Sequence, residues 1–315
     1  MKPVLLIRGI ISASFLILIA VNIELGKIMI SLRSFSLPLI LLFFIPFLLT
    51  TILNTFSLDI LLRSLHYKIP FKTLLRIKFA SRSMGLFFPS QVGELSLLPL
   101  LKTKHIPFGA SLAVFLTDKF ISLLILMVFA LYGTLSFFTQ NIFWNGVLIF
   151  VVVLGGMIGC IQSTLIRSLV RKYLLRKYST LFSGFYDYMK LLGKNGGALS
   201  MDVALTLTWI FSTSVIIDGI FKHFQYTVPL LTIIAIQAIG SLSVLLPISI
   251  SGIGVRESIT IFLYTLYGVD PSLSGAIFLL FLFVSYILGG ITLLLTAKDF
   301  NVTNLKTMMH DENTH

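Results

Sequence analysis

Two apolar stretches of this chain are each broken by a proline, a glycine and a glutamate, in that order. The first reads Pro89-Ser-Gln-Val-Gly93-Glu94, the second Pro247-Ile-Ser-Ile-Ser-Gly252-Ile-Gly254-Val-Arg256-Glu257. A further proline follows each glutamate (Pro107 and Pro271), and another long apolar segment opens behind it. The spacing nearly repeats: Pro107 lies 13 residues after Glu94, and Pro271 lies 14 after Glu257. Proline removes a backbone donor and glycine frees the backbone, so neither stretch reads as one uninterrupted helix. Paired interruptions in corresponding halves of an apolar sequence point to a binding site built from discontinuous helices.

The solvent around these breaks follows from composition. Hydrophobic residues fill 57% of the 315 positions and charged residues 11%, with a mean hydropathy of +1.00. A soluble domain carries about 25% charged residues. The fold class is therefore an all-α polytopic membrane protein. Six segments are long enough to span the hydrocarbon core: 4–23, 35–57, 109–132, 142–162, 203–220 and 273–296. The two other apolar regions, 70–104 and 229–268, contain the breaks and read as re-entrant hairpins. Non-helical backbone at that depth must be covered by protein or line a wet cavity. Residues 1–300 form one membrane domain, with repeat halves at 35–132 and 203–296. Residues 163–200 connect the halves; bases alternate there with Leu169, Tyr173, Leu174 and Tyr178, as in an amphipathic helix lying on a membrane surface. The tail 301–315 reads as disordered.

The net charge of +12 would suggest nucleic acid in a soluble chain. Here the bases cluster between apolar spans, which excludes that partner and fits the positive-inside bias and anionic lipid headgroups. One cluster runs through Arg63, Lys68, Lys72, Arg76, Lys78 and Arg82, another from Arg167 to Lys194. Placing both in the cytoplasm puts the N-terminus inside, in agreement with Lys2 and Arg8, and returns the C-terminus to the same side. Three spans separate the two broken regions, and three is odd. If each broken region enters and leaves on one side, the hairpins open to opposite faces and the halves form an inverted repeat; residues 229–246 are long enough to span alone, which would make the repeat parallel instead. Residues 1–23 lack a small-residue cleavage site near Ala20 and read as a retained first helix in a plasma or inner membrane.

Catalytic and metal chemistry find little support. Cys160 is the single cysteine, so neither a disulfide nor a cysteine metal cluster is available. His66, His105, His310 and His315 have no ligand spacing, and no cofactor or metal is expected. Ser251-Gly-Ile-Gly254 lacks the Lys-Ser/Thr ending of a phosphate loop, and no nucleophile elbow is present.

The ionisable residues within apolar segments are the functional candidates, because each costs about 2.5–3.5 kcal/mol to place there. They are Glu94, Asp118, Lys119, Asp218, Arg256 and Glu257, with Arg82 beside the first break. Glu94 and Glu257 admit two readings. Either they cap short helices that restart after Gly93 and Gly254, where a carboxylate suits the positive end of the dipole, or they organise exposed amides and Arg256 into an anion site. Asp118 and Lys119 point about 100° apart on a helix and cannot pair with one another; Arg82 is the expected partner of Asp118. Asp218 reads as interfacial.

The motifs Pro89-Ser-Gln-Val-Gly-Glu94 and Ser251-Gly-Ile-Gly-Val-Arg-Glu257, the latter with Tyr267-Gly-Val-Asp270, resemble those of the lysylphosphatidylglycerol synthase transmembrane-region family, also described as flippase-like or UPF0104-type membrane proteins. The resemblance spans roughly 5–300. It implies movement of lipids or lipid-linked groups between leaflets, and no synthase activity in a chain without the soluble transferase domain. It marks Glu94, Gly252, Gly254, Arg256 and Glu257 as family-like positions. Two departures stand out: Leu95-Ser-Leu-Leu98 and Asp118-Lys119 occupy places where the family often carries arginine. The expected function is thus a non-enzymatic translocator of a membrane phospholipid or lipid-linked substrate, with the headgroup at Gly93, Glu94, Gly252, Gly254, Arg256, Glu257, Asp118 and Arg82. The alternatives are an enzyme or accessory subunit of polyprenyl-phosphate-linked or aminoacyl lipid metabolism, and a non-catalytic scaffold.

Overall fold

A computed structural model describes residues 25–87, 89–162, 184–245 and 254–296, and every regular element among them is helical. Four stretches are long and apolar enough to cross a membrane: Leu37–Ser64, Phe108–Phe137, Gly196–His223 and Pro271–Thr296. They coincide with the expected spans at 35–57, 109–132, 203–220 and 273–296, and most extend further. The first is divided at Phe43 into α2 (Leu37–Leu42) and α3 (Phe44–Ser64) and is preceded by α1 (Leu25–Arg33). The others are α6 (Phe108–Phe137), α9 (Gly196–His223) and α12 (Pro271–Thr296). The expected span 142–162 falls in α7 (Gln140–Gln162). The expected first span 4–23, the first part of the basic connector (163–183) and the tail lie outside the described residues.

One boundary differs from expectation. The connector ends at Asn195, not at residue 200, because the Asn195 side chain accepts the Ala198 amide at 3.1 Å and starts α9 there. The helix α8 (Phe185–Lys194) precedes this cap and lies against α6. Asp202 thereby falls inside a membrane-spanning helix.

Each interrupted region folds back on itself. In the first, α4 (Phe71–Phe87) is followed by a 3-10 helix (Pro89–Ser96) and by α5 (Leu97–Lys102). Gly93 lies against the Met84 carbonyl, Ser81 Oγ donates to the Glu94 carbonyl at 2.8 Å, and Leu100, Thr103 and Lys104 return beside Lys72, Thr73 and Arg76. In the second, α10 (Leu230–Ser243) and α11 (Val255–Thr265) run antiparallel. There Gly240 faces Thr260, Gln237 Nε2 donates to the Tyr264 hydroxyl at 3.2 Å, and Thr232 Oγ1 reaches the Tyr267 hydroxyl at 3.5 Å.

The two hairpins exchange partners: the first packs on α12 and the second on α6, while α3 packs on α9. Their open ends have different neighbours. The first opens where α3 ends and α6 begins, beside α8; Tyr67 and Tyr188 share a 3.1 Å hydrogen bond there. The second opens beside the far end of α6, where the Phe137 and Tyr267 rings lie 5.3 Å apart. Two apolar cores follow this division. One joins Leu58, Leu62, Leu74, Leu97, Leu101, Ala110 and Leu192; the other joins Phe43, Phe221, Ile233, Leu263, Tyr264 and Ile277. Large side chains such as Trp144, Val152, Leu294 and Leu295 are left on the outside, as expected of a surface whose solvent is hydrocarbon.

Close approach within each hairpin depends on one glycine. A Cβ at Gly93 would collide with the backbone of Met84, whereas one at Gly240 would collide with the Thr260 Cγ2 methyl and make ordinary contact with Arg256. Gly240→Ala should therefore lower the thermal unfolding midpoint in detergent, at an overpacking cost of about 1–3 kcal/mol. Adding Thr260→Ser should recover most of that loss. Gly93→Ala should show no comparable side-chain rescue, since its obstacle is main chain.

Candidate functional site

The ionisable side chains beside the two breaks lie in a polar layer between the two apolar cores. Lys119 is the twelfth residue of α6, about 17 Å along the axis from its first turn, so this layer lies deep within the spans. Its Nζ pairs with Glu94 Oε2 at 2.5 Å. Lys78 and Arg82, one helical turn apart on α4, also lie within electrostatic reach of Glu94. The Glu94 carboxylate thus faces three cations: Lys119 from α6, and Lys78 and Arg82 from its own hairpin.

Glu94 does not restart an α-helix after Gly93. It is the sixth residue of the 3-10 helix, and α5 begins at Leu97. Packing of Gly93 on α4 holds the segment in place, and the Glu94 side chain runs past Gly85, where a Cβ would come within 2.7 Å of Glu94 Cγ. The helix-start reading of this glutamate is replaced by an ion pair.

Glu257 behaves differently. It is the third residue of α11, and its Oε2 accepts the Gly254 amide at 2.8 Å. Gly254 has φ 84, a left-handed conformation that glycine adopts without strain. Glu257 therefore caps its helix through one carboxylate oxygen.

Arg256, beside it, points into the second hairpin. Its Nη2 donates to Gln237 Oε1 at 3.4 Å, and its Nε is buried without a hydrogen-bond partner. Arg82 stacks over the Phe47 ring, its Cζ 4.6 Å from the centroid. Arg82 lies within electrostatic range of Arg256, and among the described residues no carboxylate lies within ion-pair distance of either. The first apex is held to α12 by the Tyr286 hydroxyl, which donates to the Leu86 carbonyl at 3.1 Å, and by a hydroxyl pair between Ser83 and Thr292.

Asp118 does not meet Arg82. Ser57 on α3 lies 3.3 Å from Asp118 Oδ1 and also hydrogen-bonds Asp202 Oδ1 on α9. Its cationic neighbour is Lys78, 8% exposed. Lys78 sits one turn before Arg82 and so faces the same way, which places it between Asp118 and Arg82. Asp218 pairs with Lys222 at 2.7 Å, away from this layer.

The structure thus brings together Gly93, Glu94, Arg82, Lys119 and Arg256, with Gly254 and Glu257 at the edge and Asp118 reached through Lys78. Gly252 lies outside the described residues. Lys78 and Gln237 in the layer, Ser57 and Asp202 just beneath it, and the Tyr264 hydroxyl at the edge of the second core escape a motif-based reading. Lys78 hides among surface bases, although its four-residue spacing from Arg82 signals a shared face. Among the described residues no group of three potential ligands forms a metal site.

Residues 5–292 match the family described as lysylphosphatidylglycerol synthase TM region. A UPF0104 membrane protein of Methanocaldococcus jannaschii is 24% identical, over 93% of this chain and 95% of its own length. Lys119, within one of the two departures noted in the sequence, supplies the positive charge opposite Glu94.

Because the Glu94–Lys119 pair is part-shielded from solvent, its coupling should exceed that of a surface pair and fall below that of a dry one, at about 1–2 kcal/mol. Glu94→Gln and Lys119→Met should each lower the unfolding midpoint. The double variant should lose less than the sum of the two, a difference that thermal denaturation of all four proteins measures.

Proposed function

The chain belongs to the lysylphosphatidylglycerol synthase TM-region family, and from that membership we propose that it carries a phospholipid or lipid-linked group between leaflets, holding the anionic headgroup between Arg82 and Arg256. The observation that carries this reading is a pair of buried-layer arginines with no carboxylate at ion-pair distance among the described residues, one of them with its Nε buried and unpartnered. Two like charges brought together in an apolar chain are unfavourable unless an anion joins them. A phosphate accepts parallel hydrogen bonds from planar guanidinium groups, and Arg256 Nε is a donor left free for it. Lys78 and Lys119 add positive potential, and Glu94 orders these side chains when no headgroup is present. Acyl chains remain in the bilayer beside the hairpins. The proposal assigns the chain no bond-making step.

We read the halves as an inverted repeat, each hairpin opening to a different membrane face. The exchange of packing partners between α4 and α12 and between α10 and α6 supports this, as does the separation of the two apolar cores. By the positive-inside rule, the end carrying Arg63, Lys72, Arg76, Lys104, Lys190 and Lys194 faces the cytoplasm. A groove of about 450 Å³ at that end, lined by Lys72, Thr73, Arg76, Thr103 and Lys104, would receive an anionic headgroup before it reaches the apices. Rocking of one half against the other then exposes the arginine pair to each face in turn.

Reconstituted into liposomes with a fluorescent anionic phospholipid, the wild-type chain should speed exchange of the probe between leaflets. A charged hydrogen bond contributes about 1.5–3 kcal/mol, so Arg82→Gln and Arg256→Gln should each slow exchange by about tenfold or more. Lys222→Gln, in the remote pair with Asp218, should leave the rate unchanged. Rates equal to protein-free liposomes with every anionic lipid tested would contradict the proposal.

Topology has its own test. With Cys160 replaced by alanine, single cysteines at Lys104 and Gly268 should react with an impermeant maleimide from opposite sides of the membrane. Labelling from one side would contradict the inverted arrangement.

A further inference from the structure

Three helices bring two carboxylates and one hydroxyl together beneath the apices. Ser57 of α3 contacts Asp118 Oδ1 of α6 and Asp202 Oδ1 of α9. Asp202 is 0% exposed, and its Oδ2 is buried with no hydrogen-bond partner. A serine hydroxyl has one hydrogen, and an ionised carboxylate only accepts. Ser57 cannot donate to both carboxylates, so a fully ionised pair leaves one of them facing an oxygen lone pair. An ionised Asp202 would also be a buried charge with no cation at ion-pair distance among the described residues, which is strongly unfavourable.

The charged groups on helices packed against α9 do not supply that cation. Asp59 and Arg63 on α3 pair with each other at 2.8 Å, and Lys119 on α6 is engaged by Glu94. Lys190, Lys194 and Asp187 on α8 form no ion pair with Asp202 among the described residues, and α10 carries no charged residue. Asp118, with Lys78 of α4, is what faces Asp202.

We infer that Asp202, Ser57 and Asp118 form a proton-binding site, in which Asp202 carries the proton and donates to Ser57 while Ser57 donates to Asp118. Every hydrogen between the three groups then has an acceptor, and the one remaining negative charge sits on Asp118, beside Lys78. Asp202 is the seventh residue of α9, about 9 Å along the axis from its start. The site therefore lies between the open end of the first hairpin and the headgroup layer. Release of the proton adds negative charge next to Lys78 and draws that lysine away from Glu94, loosening the first apex. Glu94 and Glu257 are less suited to carry this proton: the first is ion-paired and the second caps a helix.

The proton site stands on its own geometry; its coupling to transport rests on the lipid-translocation reading above. Infrared difference spectroscopy of the full chain in liposomes tests the site without any lipid substrate. A protonated-carboxyl band should be present at neutral pH, shift in D2O, vanish in Asp202→Asn and move in Ser57→Ala. A wild-type spectrum with no such band would overturn the assignment, as would a band that persists in Asp202→Asn or disappears only in Asp118→Asn. Coupling is read separately: an imposed pH gradient should speed probe exchange at least fivefold in the wild type and leave Asp202→Asn unaffected. Equal stimulation of both would overturn the coupling. Absence of exchange in every variant, with the infrared band intact, would remove the transport reading and leave the proton site standing.

Discussion

Backbone that leaves the helix inside hydrocarbon has to be shielded by the rest of the chain, and the centre of this protein is organised by that requirement. Each interrupted segment meets it by folding antiparallel onto itself and then packing on a span from the other half. Gly93 against the Met84 carbonyl and Gly240 against Thr260 set how closely the arms approach. Because the first hairpin leans on α12 and the second on α6, neither half is complete without the other, and the ionisable side chains beside both breaks share one polar layer.

Charge placement in that layer follows from the same geometry. The apolar cores occupy opposite ends, so the ionisable side chains have only the space between them. Lys119 neutralises Glu94, Lys78 serves Asp118 and Glu94, and among the described residues the two arginines are left without a carboxylate at ion-pair distance. The proposed anion site rests on that unpaired positive charge. The carboxylates beneath it give a second place where charge can change, one turn of α4 away from the first.

Much of this was legible in the sequence because prolines, glycines and membrane-buried charges are scarce and specific signals. Four of the expected spans and the chain reversal at both breaks follow from them, and the same signals pick out Arg82, Glu94 and Arg256 as candidates. What escaped depends on register between helices distant in sequence. The partner of Asp118 is set by how α3, α4, α6 and α9 cross, which no local spacing encodes, so Ser57 and Lys78 take the place expected of Arg82. Asp202 escaped because the apolar run suggests a start at 203, whereas the Asn195 cap begins the helix seven residues earlier. Glu94 and Glu257 have similar surroundings in sequence yet differ in space: one apex is a 3-10 helix, while the other leads into an α-helix through a left-handed glycine.

The central claim is that a phosphate sits between Arg82 and Arg256. Solid-state NMR distance measurements between lipid phosphorus and arginine guanidinium nitrogens test it directly, using the ¹⁵N-arginine-labelled chain in bilayers of anionic phospholipid. Phosphorus contacts to two deep arginine signals, each lost in the corresponding Arg→Gln variant, are the predicted result. Contacts confined to surface arginines such as Arg63 and Arg76, with none to Arg82 or Arg256, would contradict it.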